Sequence, residues 1–313
     1  MRNAQTMNLK INTTIVLLLT ALTVGYSQTL SKELMMMYTS EWKGERFPDG
    51  RPKVPEDLIK RVKNISIEEA WGVLRGEGYL NQFEGNWKMI HSDVPIAGRV
   101  VTAQYMPNRP DISNQIKEIG KKEGRVGNTN SWPIDMLVKG DVYVADAFDK
   151  GDKGTLIGDN LGNSIYAKSG NGVVFNGSIR DLEGLEKIDG FNAFVRSWNP
   201  SYLQEVMLTG LNVPINIGNA TVMPGDVVLA KREGVIFIPA HLMEKVVLTA
   251  EIIGLRDKFG IQRLKEGKYT PGQIDSRWSE EIEKDFSKWL DDHEKELPVP
   301  KKQIQDFLKS RTW

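Results

Sequence analysis

Two short stretches carry the residues best suited to chemistry. The first is Gly154-Thr-Leu-Ile-Gly158-Asp159-Asn160-Leu161, and the second is Asn176-Gly-Ser-Ile-Arg180-Asp181. In the first, Asp159 or Asn160 can cap a helix and leave backbone N–H groups pointing outward to an anion. In the second, Arg180 offers a planar guanidinium that matches a carboxylate, and Asp181 offers a hard oxygen donor for a divalent cation. Each stretch also has a purely structural reading. Gly-Asp-Asn runs cap many helices, and adjacent Arg and Asp residues form surface ion pairs. Together they supply N–H donors, a guanidinium and two carboxylates, a set that suits a small 2-oxo acid held by its carboxylate and keto oxygen. The first stretch has neither Gly-Lys-Ser/Thr nor Gly-x-Gly-x-x-Gly spacing, which excludes a P-loop and a dinucleotide fingerprint.

Composition narrows the chemistry further. The 313-residue chain has no cysteine, so thiolate metal sites, disulfides and a Cys nucleophile are excluded. The histidines are His91, His241 and His293, too few and too scattered to favour a His-rich zinc site or a Ser-His-Asp triad. A metal would be held by oxygen, which favours Mg²⁺, Mn²⁺ or Ca²⁺. Lys+Arg and Asp+Glu both number 41, so no net basic field draws nucleic acid or an anionic membrane.

The surrounding elements place the two stretches. Residues 141–146 and 172–176 read as strands, with a helix over 160–168 between them. Arg180-Asp181 then opens a helix through Leu182, Leu185 and Ile188, and 193–197 is another strand. This alternation predicts βαβ units and a parallel sheet, with both stretches at the carboxyl ends of neighbouring strands, where open α/β sheets bind ligands. Upstream, Ser66 and Glu69 form a capping box for a helix through Ala70, Trp71 and Leu74; 94–103 reads as a strand, 114–119 as a short helix and 123–133 as loop. Downstream, turns at Pro224-Gly225-Asp226 and Glu233-Gly234 frame a hairpin, and Pro239-Ala240 opens a helix bearing Leu242, Val246, Ala250 and Ile253. Trp278, Ile282, Phe286 and Trp289 form an apolar stripe on a charged helix, expected to pack on the chain's own core or a neighbouring subunit. Lesser candidates are Asp146 and Asp149 near the first stretch, and Arg196, Asn199 and Tyr202 as pocket-lining residues.

At the N-terminus, Arg2 and Lys10 precede an apolar run over 14–25, shorter than the ~20 residues that span a bilayer. Gly25-Tyr26-Ser27 then has the small-x-small pattern of a cleavage site. This predicts a signal peptide over 1–27 and an exported chain, periplasmic or secreted, with no stable membrane insertion after cleavage.

Gly158-Asp159-Asn160-Leu161, Gly177-Ser-Ile-Arg180-Asp181, Pro224-Gly225-Asp226 and Gly234-Val-Ile-Phe-Ile-Pro239 stand in an order and spacing that resembles the RraA-like family. That family contains the regulator of ribonuclease activity A and the class II 4-hydroxy-4-methyl-2-oxoglutarate/4-carboxy-4-hydroxy-2-oxoadipate aldolases; many members are labelled demethylmenaquinone methyltransferases. The resemblance implies an α/β fold, a ββα swivelling-domain sandwich with N- and C-terminal extensions. The corresponding map is an arm over 28–54, an RraA-like catalytic domain over 55–254 and a C-terminal helical extension over 255–313. It implies an Mg²⁺ or Mn²⁺ cofactor ligated by Asp181, with Arg180 binding substrate and steadying an enolate. Asp159 would act as acid/base through a water, and the substrate carboxylate would sit at Gly158 on the Asn160 and Leu161 amides. It further implies a homotrimer or hexamer with sites between subunits. The expected function is an exported metal-dependent lyase acting on a small oxo acid or sugar-derived acid, by retro-aldol cleavage or decarboxylation. Two alternatives stay open: a non-catalytic binding or regulatory protein, and another enolate reaction such as isomerisation or β-elimination. The partner is then a small-molecule carboxylate and not a nucleic acid.

Overall fold

The computed structural model describes residues 28–310, so the expected signal peptide lies outside the described residues. Among these the strands are β1 (Phe83–Glu84), β2 (Lys88–Met89), β3 (Ile96–Pro107), β4 (Asp141–Lys150), β5 (Val173–Ile179), β6 (Ala193–Trp198), β7 (Val206–Leu211), β8 (Ile215–Ile217), β9 (Ala220–Val222), β10 (Val227–Lys231) and β11 (Gly234–Ile238). The main sheet runs β1-β11-β10-β3-β4-β5-β6-β2, with β7 also paired to β3 and with β8 and β9 forming a separate ribbon. β3, β4, β5 and β6 are parallel, while β10, β11, β1, β2 and β7 join antiparallel. The fold is therefore mixed α/β around a large mixed sheet.

The parallel strands are buried on both faces, as crossover connections require. Tyr143, Ala145, Val173 and Phe175 point into one core, and Val142, Val144, Val174 and Phe194 into the other. The helices Pro110–Lys122 and Asp159–Ser169 and the single turn Leu182–Leu185 lie between successive parallel strands. The capping box at Ser66 and Glu69 is present and starts the helix Ile67–Gly76.

Several elements differ from their sequence-based bounds. β3 extends to Pro107, because its far half pairs with β7, a partner that local patterning does not show. β4 continues past Asp146 through a bulge to Lys150, with Phe148 and Asp149 at φ 44° and 56°. The helix opened at Asp181 stops at Leu185, and the chain turns at Gly190 (φ 79°) instead of carrying Ile188 onward as helix. The helix after β11 runs from Met243 to Lys265, so the boundary expected at 254/255 falls inside a continuous helix. Its far half buries Ile252, Leu255 and Phe259 against Trp278, Ile282, Phe286 and Trp289, so the apolar stripe packs on the chain's own core. No helix among the described residues is long and apolar enough to cross a membrane.

Candidate functional site

The loop after β4 is held against the end of β5. Leu156 N–H donates to Ser178 O (3.0 Å) and Arg180 N–H to Ile157 O (3.0 Å). These two bonds place Gly158 beside Arg180 and Asp181. A Cβ added at Gly158 would overlap Asp181 Oδ2 and lie 3.2 Å from Arg180 Nε, so only glycine lets the two stretches close on one another. Asp181 itself sits in the left-handed region (φ 58°, ψ 44°), which Asp tolerates better than most side chains. Its carboxylate meets Arg180 Nη1 at 3.3 Å, and both side chains remain partly open to solvent (41% for Arg180, 36% for Asp181).

A cleft of about 350 Å³ opens at this junction. Gly158, Asn160, Leu161 and Arg180 all line it, as does Tyr202, whereas Asp159 and Asp181 are not among its lining residues. Thr155 of the first stretch lines it too, and its other walls are not singled out as functional by the sequence: Asn128, Asn130 and Ser131 from the loop before the short helix Trp132–Asp135, and Leu203. The polar run Asn128-Thr-Asn-Ser131 was a usable signal, masked by the general polarity of loops. Asn130 Nδ2 donates to Leu156 O (2.7 Å), which fixes that wall to the site loop.

Asp159 is placed less directly. Its Oδ1 accepts from Asn160 N–H (2.8 Å), and the carboxylate packs over Gly184, where an added Cβ would lie 2.6 Å from Oδ2. The Asn160 amide is therefore used within the helix start. The Leu161 N–H belongs to the first helical turn, whose donors lack intrahelical acceptors.

Asp146 does not join this site. It lies on the sheet face that carries Val144 and Val174, where Gln104 Nε2 (2.9 Å), Asn176 Nδ2 (2.8 Å) and Phe148 N–H (2.9 Å) all donate to it. Arg196 extends that row: its Nε donates to Asn176 Oδ1 (3.0 Å) and its Nη2 pairs with Glu84 (3.1 Å). A fully bonded carboxylate of this kind braces the strand ends.

The donor set around Asp181 bears on what cation could be held. No group of three or more His, Asp or Glu side chains able to hold a metal occurs among the described residues. Asp181 thus offers a single, partly exposed hard oxygen ligand beside Arg180, which fits a cation that keeps most of its coordination as water, the habit of Mg²⁺.

Comparison with known proteins agrees with this architecture. A family model described as Aldolase/RraA (RraA-like) matches residues 67–237. DlpA of Legionella pneumophila is 26% identical over 199 residues, covering 64% of this chain and 29% of that protein. A protein of Halalkalibacterium halodurans, provisionally named a 4-hydroxy-4-methyl-2-oxoglutarate aldolase, is 31% identical over 113 residues, covering 36% of this chain and 52% of its own length. The chain thus spans under a third of the first relative and about half of the second. An uncharacterised Pseudomonas syringae protein superposes with a TM-score of 0.59 at 19% identity, covering 74% of this chain and 98% of that one. RraAS2 of Streptomyces coelicolor, described as an unusual member of the RNase ES inhibitor RraA family, superposes at 0.58 with 23% identity, covering 68% of this chain and all of its own. At these identities the superpositions speak for the fold.

Proposed function

This chain belongs to the RraA-like family, and from that premise we propose that it is an exported, divalent-metal-dependent lyase acting on a small oxo acid or sugar-derived acid. The observation that carries the reading is the closure of Asp181 and Arg180 over Gly158, with Gly158 and Arg180 lining the cleft. A braced structural pair needs no glycine beneath it and no strained backbone, and both are present here.

Asp181 would hold the Mg²⁺ or Mn²⁺. When bound, that ion supplies Lewis-acid polarisation of a keto oxygen. The chain's own residues do the rest. Arg180 binds the substrate carboxylate by charge-assisted hydrogen bonds and faces the oxygen on which negative charge grows. The start of the helix Asp159–Ser169, with the Leu161 N–H, adds positive potential at the same wall. In retro-aldol cleavage or decarboxylation the C3–C4 bond, one removed from the C2 oxo carbon, breaks; C4 leaves as a carbonyl compound, its hydroxyl proton lost, or as CO₂, the electron pair stays on C3 in conjugation with the oxo group, and a proton added at C3 completes pyruvate. Asp159 stands at the edge of the site, so its acid/base role runs through a water. The assembly that suits such a family is a homotrimer or hexamer.

The test is pyruvate release from oxaloacetate and from 4-hydroxy-4-methyl-2-oxoglutarate by residues 28–313, with Mg²⁺ or Mn²⁺ and again with EDTA. Arg180→Ala is expected to lose about 10²–10³ in kcat/KM, the usual effect of removing one donor to a developing oxyanion. Asp181→Ala is expected to lose the metal dependence altogether. A folded, metal-supplied protein with no turnover on either acid would count against oxo-acid cleavage and move the reading to another enolate reaction or to a binding role.

A further inference from the structure

A second pocket, of about 410 Å³, lies at the amino end of the parallel strands and shares no lining residue with the cleft. That volume falls within the roughly 300–1,000 Å³ of small-molecule sites. Its floor includes Asp226, one residue before β10, whose Val227 pairs with Arg99, itself opposite the first residue of β4. One wall comes from the N-terminal arm, through Tyr38, Glu41 and Trp42, and another from Tyr79 and His241. The arm residues and His241 lie outside the family match at 67–237, so the pocket is built partly from what this chain adds to the family domain.

The walls are held in place by bonds behind them. Arg46 donates to the carbonyls of Thr39 (2.7 Å), Trp42 (3.0 Å) and Gly50 (2.8 Å). Trp42 Nε1 donates to Glu45 O (2.7 Å), which fixes the indole ring. The Tyr79 hydroxyl and His241 Nε2 are hydrogen-bonded at 3.2 Å, with their ring centroids 6.1 Å apart. A wall fixed in this way loses little freedom when a ligand enters.

The charge inside is acidic. Glu41 and Asp226 are the acids among the described lining residues, and burial lowers the His241 pKa below 6.5, so its imidazole is neutral at pH 7. Glu41 is exposed and enters no ion pair among the described residues, whereas nearby Glu77 is paired with Lys245. The Glu41 charge acts on both Tyr79 and His241, so it reaches across the pocket. Tyr38, which is 53% exposed, Trp42 and Tyr79 contribute ring surface. Electron-rich rings beside an uncompensated carboxylate attract a large, weakly hydrated cation, which sheds little water on entry and gains from the ring faces.

We infer that this pocket binds a small organic ammonium ion, with its charge set against the Tyr38, Trp42 and Tyr79 rings and balanced by Glu41. The site is separate from the cleft and does not depend on the lyase reading.

Titration calorimetry on the full chain tests this with choline and its uncharged isostere 3,3-dimethylbutan-1-ol, which has the same shape without the charge. Choline is expected to bind about tenfold tighter or more, the scale of a cation held against aromatic faces. Tyr38→Ala and Glu41→Gln, both at exposed side chains, are each expected to weaken choline by about threefold or more and to leave the alcohol nearly unchanged. Circular dichroism checks that both variants are folded. Sedimentation with phosphatidylcholine vesicles separates two sources of the same chemistry. Choline binding without sedimentation assigns the pocket to a free ammonium compound, and choline binding with sedimentation assigns it to a lipid headgroup; both support the cation site. Equal affinity for choline and the alcohol overturns the inference, as does the absence of measurable choline binding or a choline affinity untouched by both substitutions.

Discussion

Asp141 and Asp181 each meet arginine, one at the amino end of the parallel strands and the other at the carboxyl end, and their surroundings differ in almost every respect. Asp141 is fully buried. Arg51 Nη2 donates to its Oδ2 (3.1 Å), Arg99 Nε to its Oδ1 (3.3 Å) and Val138 N–H to Oδ2 (3.2 Å). Arg51 lies over the Phe47 ring at 4.4 Å, so the same cluster fastens the N-terminal arm to the sheet. Asp181 is partly exposed, meets a single guanidinium, sits in a left-handed conformation and presses on a glycine beside a cleft. Saturated hydrogen bonding and burial mark a brace; spare bonding capacity, backbone strain and an adjoining cavity mark a place where a ligand completes the shell.

The largest expected effect separates the two. Asp141→Ala leaves two buried guanidiniums without their shared carboxylate and is expected to cost about 3–5 kcal/mol, read from the midpoint of chemical denaturation. Arg180→Ala in the same experiment is expected to change stability by no more than about 0.5 kcal/mol while pyruvate release is lost. Equal destabilisation by both would erase the distinction.

Asp226 sharpens the comparison as a carboxylate that is buried without an ion pair among the described residues. Its oxygens accept backbone N–H groups of Met223 and Ala240, but burial dominates and pushes its pKa from 3.8 up to about 7. The folded state therefore holds this proton more tightly than the unfolded chain does. The contribution to stability is complete below about pH 4 and is lost as pH rises toward about 7, a change on the order of a few kcal/mol. Asp226→Asn is expected to flatten the stability–pH curve over that interval, and an unchanged slope would refute the assignment.

Gly158→Ala comes next. The new methyl group must displace the Asp181 carboxylate, a local overpacking worth about 1–3 kcal/mol. At least a tenfold loss of pyruvate release is expected, with the circular dichroism spectrum retained. Full activity in this variant would mean that the Asp181–Gly158 contact does not govern the site.

How much of this was legible before the structure follows from the range of each interaction. The central strands, the capping box and the hairpin after Asp226 are specified by neighbours within a few residues, and they are where the sequence places them. The pairing of β7 with β3 and the short β1, β2, β8 and β9 depend on partners distant in sequence, and two- or three-residue strands carry no period to detect. The same division holds at the site. Gly158, Arg180 and Asp181 announce themselves because glycine, arginine and aspartate are unusual together at strand ends. Asn128, Asn130 and Ser131 look like ordinary loop polarity until the fold brings them to the cleft.

The smallest expected effect on stability is the most discriminating. Asp181 pays for its left-handed backbone as any residue with a Cβ does, by about 1–3 kcal/mol at strained sites. Glycine escapes that strain but gives back roughly 0.5–1 kcal/mol of unfolded-chain entropy. Asp181→Gly is therefore expected to leave stability unchanged or raise it by about 1 kcal/mol, while metal-dependent turnover disappears. Asp181→Asn holds the size and the tolerance for this conformation but removes the charge. Loss of turnover in Asn as well as in Gly assigns the role to the carboxylate charge. Turnover retained in Asn would mean that the side chain's shape at Gly158 matters and its charge does not, and Asp181 would then belong with Asp141 among the braces.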